Sequence, residues 1–554
     1  MPTRTAKRDN GQWAVSGRAP LNATEELKQQ ADGLTSRDRV LSTYAKEGFD
    51  SISQQDLYDR LKWWGVYTQR KQGIDGHRTA TLTPNELTDD TFMMRVRIDG
   101  GQLTTDQTRL LGRLSHEFAR DTADITDRQN IQYHWIRIED VPEIWRRLEA
   151  NGLQTTEACG DVPRGFLGSP VAGIAADEII DPTPTIRAIV DQWIGDPQFS
   201  NLPRKFKTAV TGHPSIDVPY EINDISFVGV RHPKLGPGYD VWVGGALSTT
   251  PRLAQRLGVW VSQEEAPEVW RGIVSIFRDY GYRLRRTHAR MKFLVDDWGV
   301  RKFRKVLEDE YLGHKLHNGG RGARPNGSPD DHIGIHEQKD GRRYVGFAPT
   351  VGRLSGPKLI AIADAAEKAG SHRIRLTPYQ KLLVLDVDPE KVAELVTELE
   401  ELGLRAHPSP FRRATMACTG IEYCKLAFVE TKGLAARTID ELEERFKSET
   451  INPPISLNIN GCPNSCARYQ VADIGLKGQI IKGEFGFQVH LAGRLRTGLH
   501  TDKSELGRTV RGLKVTSEGL PDYIERVVRS YLIHHTEGQD FAHWAIDADE
   551  ELLR

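Results

Sequence analysis

The sequence predicts an α+β fold made of two halves that repeat one another, a pseudo-twofold arrangement in which each half joins a small αβ unit to a larger one. Two alignments of the chain with itself predict it. Moving by 251 positions sets Gly101 on Gly352, Leu103 on Leu354, Thr126 on Thr377, Gln129 on Gln380 and Gly152 on Gly403 without a gap. A fixed offset held over such a span marks an internal duplication. A looser match, at an offset of 248, sets residues 239–247 on 487–495, and a helical pattern follows both.

Taken in order, residues 1–80 read as an arm of short helices at 25–31, 36–46 and 53–61, polar with sparse apolar positions, and expected to wrap another surface. The arm ends in an aromatic cluster of Trp63, Trp64 and Tyr67, a composition suited to core packing. The first small unit, 81–160, holds a strand at 92–98, a Gly100-Gly101 turn, a helix at 105–120, a strand at 132–138 and a helix at 141–151. The first larger unit, 161–330, includes a helix at 268–280 with Val269, Ile273, Ile276, Phe277 and Tyr280 on one face. Between the halves, 317–327 is glycine-rich and basic. It is either a flexible tether or a loop whose backbone N–H groups approach carboxylates. The second small unit, 331–410, repeats the first over 343–406, and the second larger unit, 411–554, carries four of the five cysteines.

Composition narrows the function classes. With 75 basic and 76 acidic residues the net charge is −1, so no global field draws the chain to nucleic acid. No apolar run of about 18 residues is present, which argues against a membrane span. Residues 1–12 are polar and lack the apolar centre of a secretory signal. Five cysteines in 554 residues are no disulfide framework. Thiolate ligands need a reducing compartment, which favours the cytosol. No G-x-G-x-x-G between strand and helix and no Walker A motif occurs, so electrons or energy must come from another molecule.

The cysteines concentrate the chemistry. Cys418 and Cys424 are spaced C-x5-C and Cys462 and Cys466 are spaced C-x3-C, with thirty-seven residues between the pairs. Four thiolates suit zinc or an iron–sulfur cluster, although structural zinc sites use tighter C-x2-4-C pairs.

Gly461-Cys462-x3-Cys466 followed by Asp473-Ile474-Gly475-Leu476 resembles the signature of the sirohaem-dependent sulfite and nitrite reductases. Asn460 departs from the Ser, Thr or Val usual before the glycine. The resemblance implies a [4Fe-4S] cluster on Cys418, Cys424, Cys462 and Cys466, with Cys466 also bridging to the iron of a sirohaem held centrally between ferredoxin-like small halves and larger αβ units. It also implies basic residues for a carboxylate-rich cofactor and a small anionic substrate: Arg95, Arg164, Lys205 and Lys207 at the catalytic face, and Arg128 and Gln132 toward sirohaem. Lys205 and Lys207 alternate with Arg204 and Phe206, so on an extended chain both face one side. In the repeat Arg128 falls on Tyr379 and Gln132 on Leu383, so only the first copy keeps polar groups. A further basic run, Arg283, Arg285, Arg286, Arg290 and Lys292, is expected to divide between cofactor carboxylates and the surface. Cys159, five residues before Arg164, is either an inert thiol or joined to Tyr67 as a thioether.

The implied reaction is six-electron reduction of sulfite to sulfide by a monomer, with a ferredoxin as donor. One rival keeps the fold and reduces nitrite to ammonium. Another, a metal-containing nucleic-acid-binding protein, leaves the duplication and the aligned cations unexplained.

Overall fold

The computed structural model describes residues 22–499 and 502–554. The segment 1–12 discussed above lies outside them. Two five-stranded sheets form the small units. One runs Val66–Arg70, Thr88–Val96, Ile131–Ile136, Ala123–Ile125 and Arg353–Leu354; the other runs Gly334–Glu337, Arg343–Phe347, Leu382–Val387, Arg373–Leu376 and Gln102–Thr104. Each sheet thus takes its last strand from the opposite half. The exchange is symmetric, since Leu354 pairs with Ala123 and Leu103 with Ile374, the same contact made twice.

The helices Thr105–Phe118 and Gly356–Lys368 follow the exchanged strands and cross where Gly112 meets Gly356. A Cβ on either glycine would lie 2.6 Å from the other's carbonyl oxygen, so the close crossing requires both. A single apolar core runs through both small units, with Trp145, Phe92, Phe347 and Ile362 at its centre. The first strand begins at Thr88, four residues before the sequence expectation, because Thr88 already pairs with Arg70. The helices expected at 105–120 and 141–151 end at Phe118 and Glu149.

The larger units repeat with equal fidelity. Thr208–Thr211 and Leu457–Asn460 are 249 positions apart, as are Ile225–His232 and Ile474–Ile481. Both pairs are parallel and in one register, Thr208 on Ile225 and Leu457 on Ile474. The offset falls to 248 after the hairpin because residues 233–235 form its turn in one half and only 482–483 in the other. A one-residue turn difference therefore explains why the sequence match was loose there. Helix Ala266–Tyr280 packs its expected apolar face inward, and Trp270 on it is fully buried among Phe166, Phe199 and Phe206.

The arm is fastened by ions and indoles. Lys28 lies 2.7 Å from Glu25 and 2.8 Å from Asp161, and Glu25 takes Arg283 at 2.7 Å. Trp63, 2% exposed, donates its indole N–H to the Ser200 carbonyl. Trp64 meets Trp145 at 5.6 Å. The glycine-rich segment is no free tether: His317–Asn318 pairs with Gln255–Val261, Arg256 donates to the Gly320 carbonyl, and the Ala323 N–H donates to Asp240. Among the described residues no helix is long and apolar enough to cross a membrane.

Candidate active site

Parallel neighbours Thr415–Ala417 and Leu457–Asn460 end side by side, so the loops that follow them bring Cys418 against the loop of Cys462 and Cys466. The Gly461 N–H donates to Cys418 Sγ at 3.2 Å. Asn460, the departure from the usual residue, has a role of its own: its Oδ1 accepts the Ala467 N–H at 2.7 Å and closes the loop. Ser465 between the cysteines is left-handed, with φ of 58°. The acidic-apolar-small-apolar tetrad braces this loop from the next strand. Asp473 accepts the N–H and hydroxyl of Ser456 at 2.8 and 2.6 Å. At Gly475 a Cβ would collide with the Tyr469 carbonyl. Gly475→Ala is therefore expected to cost about 3 kcal/mol or more by overpacking. A thermal melt checks it, together with iron content, which should fall as the loop is displaced.

As free thiols these groups resist ionisation. Burial, then the neighbouring Cys466 thiolate, pushes Cys418 up to about 12. Burial likewise raises Cys424 and Cys462, with Cys466 the first thiol among the charges that add to it. Four thiolates here need cationic compensation. A single zinc would bring its sulfurs to about 3.8 Å of one another, from a Zn–S bond of about 2.3 Å in a tetrahedron. Among the described residues no three cysteine sulfurs lie within 4.8 Å of one another, because the one donor trio that meets this limit contains no cysteine. The wider spacing suits a multinuclear cluster better than a single zinc.

Cations crowd the space beside Cys466. Lys205 and Lys207 do face one side, as alternation predicted: Phe206 between them is fully buried, 5.8 Å from Phe277, and its N–H and carbonyl bond to Val162 and Arg164. Both lysines line one cavity with Arg128, Arg290, Asn464 and Arg468. Arg95 and Arg164 complete the group, for each is among the charges that perturb its neighbours: Arg95 acts on Arg164, and Arg164 on Lys205. Arg164 is turned into place by two bonds to the Gly160 carbonyl, at 2.8 and 2.6 Å. Gln132 sits across the strand pair from Arg95 and accepts its Nη2 at 2.7 Å. In this structure it positions Arg95.

Compensation is scarce. Arg290 pairs with Asp224 at 2.9 Å and Arg468 reaches Asp127 at 3.4 Å, while among the described residues neither Lys205 nor Lys207 has an ion-pair partner. The buried Nε atoms of Arg95, Arg128 and Arg290 have no acceptor. Such orphaned donors with surplus positive charge fit a polyanionic group such as a carboxylate-ringed tetrapyrrole together with a small anion. Burial, then Arg290 and Arg164, lowers Lys205 to about 7, and burial with Lys205 holds Lys207 well below the usual lysine range. Burial also lowers Arg128, to about 9.

Sequence reasoning missed Arg468 and Asp224, and both left signals. Arg468 stands two residues after Cys466. Asp224 is 249 positions before Asp473, and it accepts the Lys207 N–H at 2.9 Å as Asp473 accepts that of Ser456. Of the later basic run only Arg290 reaches the site, since Arg283 serves Glu25, Arg286 serves Asp161, and Lys292 binds the Leu247 and Thr250 carbonyls. Those partners leave no basic stripe for nucleic acid. Tyr67 keeps 40% of its surface open. Its phenol is raised first by burial and then by Cys424 and Cys159, so both thiols are among the charges that act on it.

Comparison with known proteins agrees with this geometry. The family model described as the nitrite and sulphite reductase 4Fe-4S domain matches residues 159–316 and 409–543, and the nitrite/sulfite reductase ferredoxin-like half domain matches 85–151 and 336–402. Over 100% of its length the chain is 54% identical to the sulfite reductase [ferredoxin] of Mycobacterium tuberculosis strain H37Rv, covering 99% of that protein. It is 36% identical to the ferredoxin–nitrite reductase of Leptolyngbya laminosa, over 94% of this chain and 98% of the other. The solved structure of the Mycobacterium tuberculosis NirA protein superposes with a TM-score of 0.94 at 54% identity, covering 98% of this chain and 99% of that one.

Proposed function

We infer that this chain, which belongs to the nitrite and sulphite reductase family, is a ferredoxin-dependent sulfite reductase that carries sulfite to sulfide by six electrons. The observation that supports the reading most is the uncompensated cation group at Arg95, Arg128, Arg164, Lys205 and Lys207 beside Cys466. Cys418, Cys424, Cys462 and Cys466 would hold a [4Fe-4S] cluster and the cations beside Cys466 would hold a sirohaem, which together would supply single electrons and a metal position for the anion. Arg128, Arg290 and Arg468 are placed to hold cofactor carboxylates.

The chain's own residues bind the anion and move protons. Arg95 and Arg164 offer fixed guanidinium groups to the substrate oxygens, Arg95 held by Gln132 and Arg164 by the Gly160 carbonyl. Lys205 and Lys207 contribute compact charges and protons, since each oxygen that leaves as water takes up two protons. A lysine lowered to about 7 is matched to that task near neutral pH. A lowered pKa means that the ammonium is lost as pH rises through about 7 rather than near the ordinary lysine value. Accordingly kcat/KM for sulfite is expected to fall as pH rises, on a limb that lies below the ordinary lysine range. Lys205→Arg, whose charge does not titrate, should flatten that limb while lowering the maximum. An unchanged pH profile in Lys205→Arg would show that another group controls it.

Steady-state turnover with reduced ferredoxin, comparing kcat/KM for sulfite and nitrite, tests the substrate assignment. The reading fails if nitrite is preferred by a wide margin. Lys207 favours sulfite, because the nitrite reductases of the family tend to carry Asn at that position. A reducing, cytosolic setting follows from the thiolate ligands.

Cys159 is among the charges that act on the Tyr67 phenol, which supports a thioether between the phenol ring and the sulfur, formed as the S–H and one ring C–H each lose a hydrogen and dioxygen takes up the two electrons and two protons. Peptide mass spectrometry of active enzyme is expected to show one cross-linked peptide two hydrogens lighter than the sum of its parts. Separate, unmodified Tyr67 and Cys159 peptides would dispose of the link.

A further inference from the structure

The duplication places a second set of ligand-type side chains where the first half should hold the counterpart of the cysteine loop. At the offset of 249, Gly461-Cys462-Pro463-Asn464-Ser465-Cys466 falls on Gly212-His213-Pro214-Ser215-Ile216-Asp217, and Cys418 falls on Ser169. Glycine and proline are unchanged. The three ligand positions become His213, Asp217 and Ser169. Backbone shape is kept as well: Ile216 is left-handed at φ of 54°, matching Ser465 at 58°. A β-branched residue is costly in that region, so the loop form is imposed by its surroundings.

These side chains meet in space. One nitrogen each of His213 and His332 and one oxygen of Asp217 lie within 4.8 Å of one another, and all three residues are buried. His332 Nε2 is 2.9 Å from Asp217 Oδ2. The outer contacts are those that orient metal ligands. His332 Nδ1 faces the Tyr344 hydroxyl at 3.2 Å, and His213 Nδ1 faces the Ser215 hydroxyl at 2.7 Å. Asp217 Oδ1 accepts Thr211 Oγ1 at 2.6 Å, and Oδ2 accepts Ser169 Oγ at 2.6 Å. Each imidazole is thus oriented through one nitrogen and turns the other toward its neighbours. Asp177, whose side chain is 59% exposed, stands 3.4 Å from His213 Nε2 and marks a way in from solvent.

We propose that His213, Asp217 and His332 form a mononuclear site for a divalent transition metal of the zinc class, built on the pseudo-twofold counterpart of the cysteine loop. One imidazole and one carboxylate stand where the other half has thiolates, and His332 brings a second imidazole from outside the repeat, a donor set that suits a borderline single ion rather than an iron–sulfur cluster. The ion would join the first larger unit to the segment that opens the second half.

The test uses the whole holoenzyme with Zn²⁺ as the probe. After incubation with Zn²⁺ and dialysis, elemental analysis is expected to find about one zinc per chain in addition to the iron, and His213→Gln with His332→Gln should retain none. X-ray absorption at the zinc edge of the wild-type protein should show nitrogen and oxygen neighbours only, at about 2.0 Å. This second readout holds even if the variant folds poorly. Zinc coordinated by sulfur, or no zinc retained by the wild-type protein, overturns the proposal.

Discussion

Cys466→Ser is expected to reduce sulfite turnover to background and to lower the iron content of the purified chain. Serine keeps the size of the side chain and leaves the Asn460 to Ala467 bond that closes the loop, so the local fold has no reason to change. The chemistry does change. A thiolate is a soft ligand that ionises readily under a cation, whereas an alkoxide is hard and far more basic. Cys466 is exposed while Cys418 and Cys424 are half-buried and Cys462 is buried, which supports Cys466 as the thiol that would serve a cluster and a second cofactor together. Cys418→Ser and Cys462→Ser should lose the cluster without that double effect. Iron per chain and the visible spectrum of the Cys466→Ser protein check this, with Cys159→Ser as a control that keeps its iron. An unaltered spectrum in Cys466→Ser would remove the assignment of the bridging ligand.

The second large effect is expected at Lys207, where charge decides the substrate. One cation about 4 Å from a substrate charge is worth roughly 4 kcal/mol at an effective dielectric of 20. Part of that is spent on charging the lysine, because burial and Lys205 hold its ammonium well below the ordinary range. If about half survives, roughly 2 kcal/mol per charge remains, a factor of about 30 in rate. Sulfite can carry two negative charges and nitrite carries one. Lys207→Asn should therefore lower kcat/KM by about 10³-fold for sulfite and by about 30-fold for nitrite. Asn keeps a hydrogen-bonding group and the backbone N–H that binds Asp224, so the strand end stays in place. Equal losses on both substrates would make Lys207 a general structural or cofactor-binding cation and would remove the main support for sulfite over nitrite.

The two halves, the paired cysteines and the alternating lysines were legible in the sequence because each is a local or periodic signal. A constant offset shows duplication without any knowledge of packing, C-x5-C and C-x3-C show paired ligands, and Lys-Phe-Lys shows which side chains share a face. Tertiary structure alone decided how these parts meet. It gave each small sheet a strand from the other half, through Leu354 on Ala123 and Leu103 on Ile374. It set Arg283 and Arg286 in ion pairs with Glu25 and Asp161 while sending Arg290 of the same run to Asp224. It spaced the cysteine sulfurs too widely for one ion and set His332 against Asp217, a pairing across 115 positions. Sequence records what each residue can do within a few neighbours. Which partner it finds depends on chain segments far away, because a buried charge or ligand is stable only where a distant group compensates it.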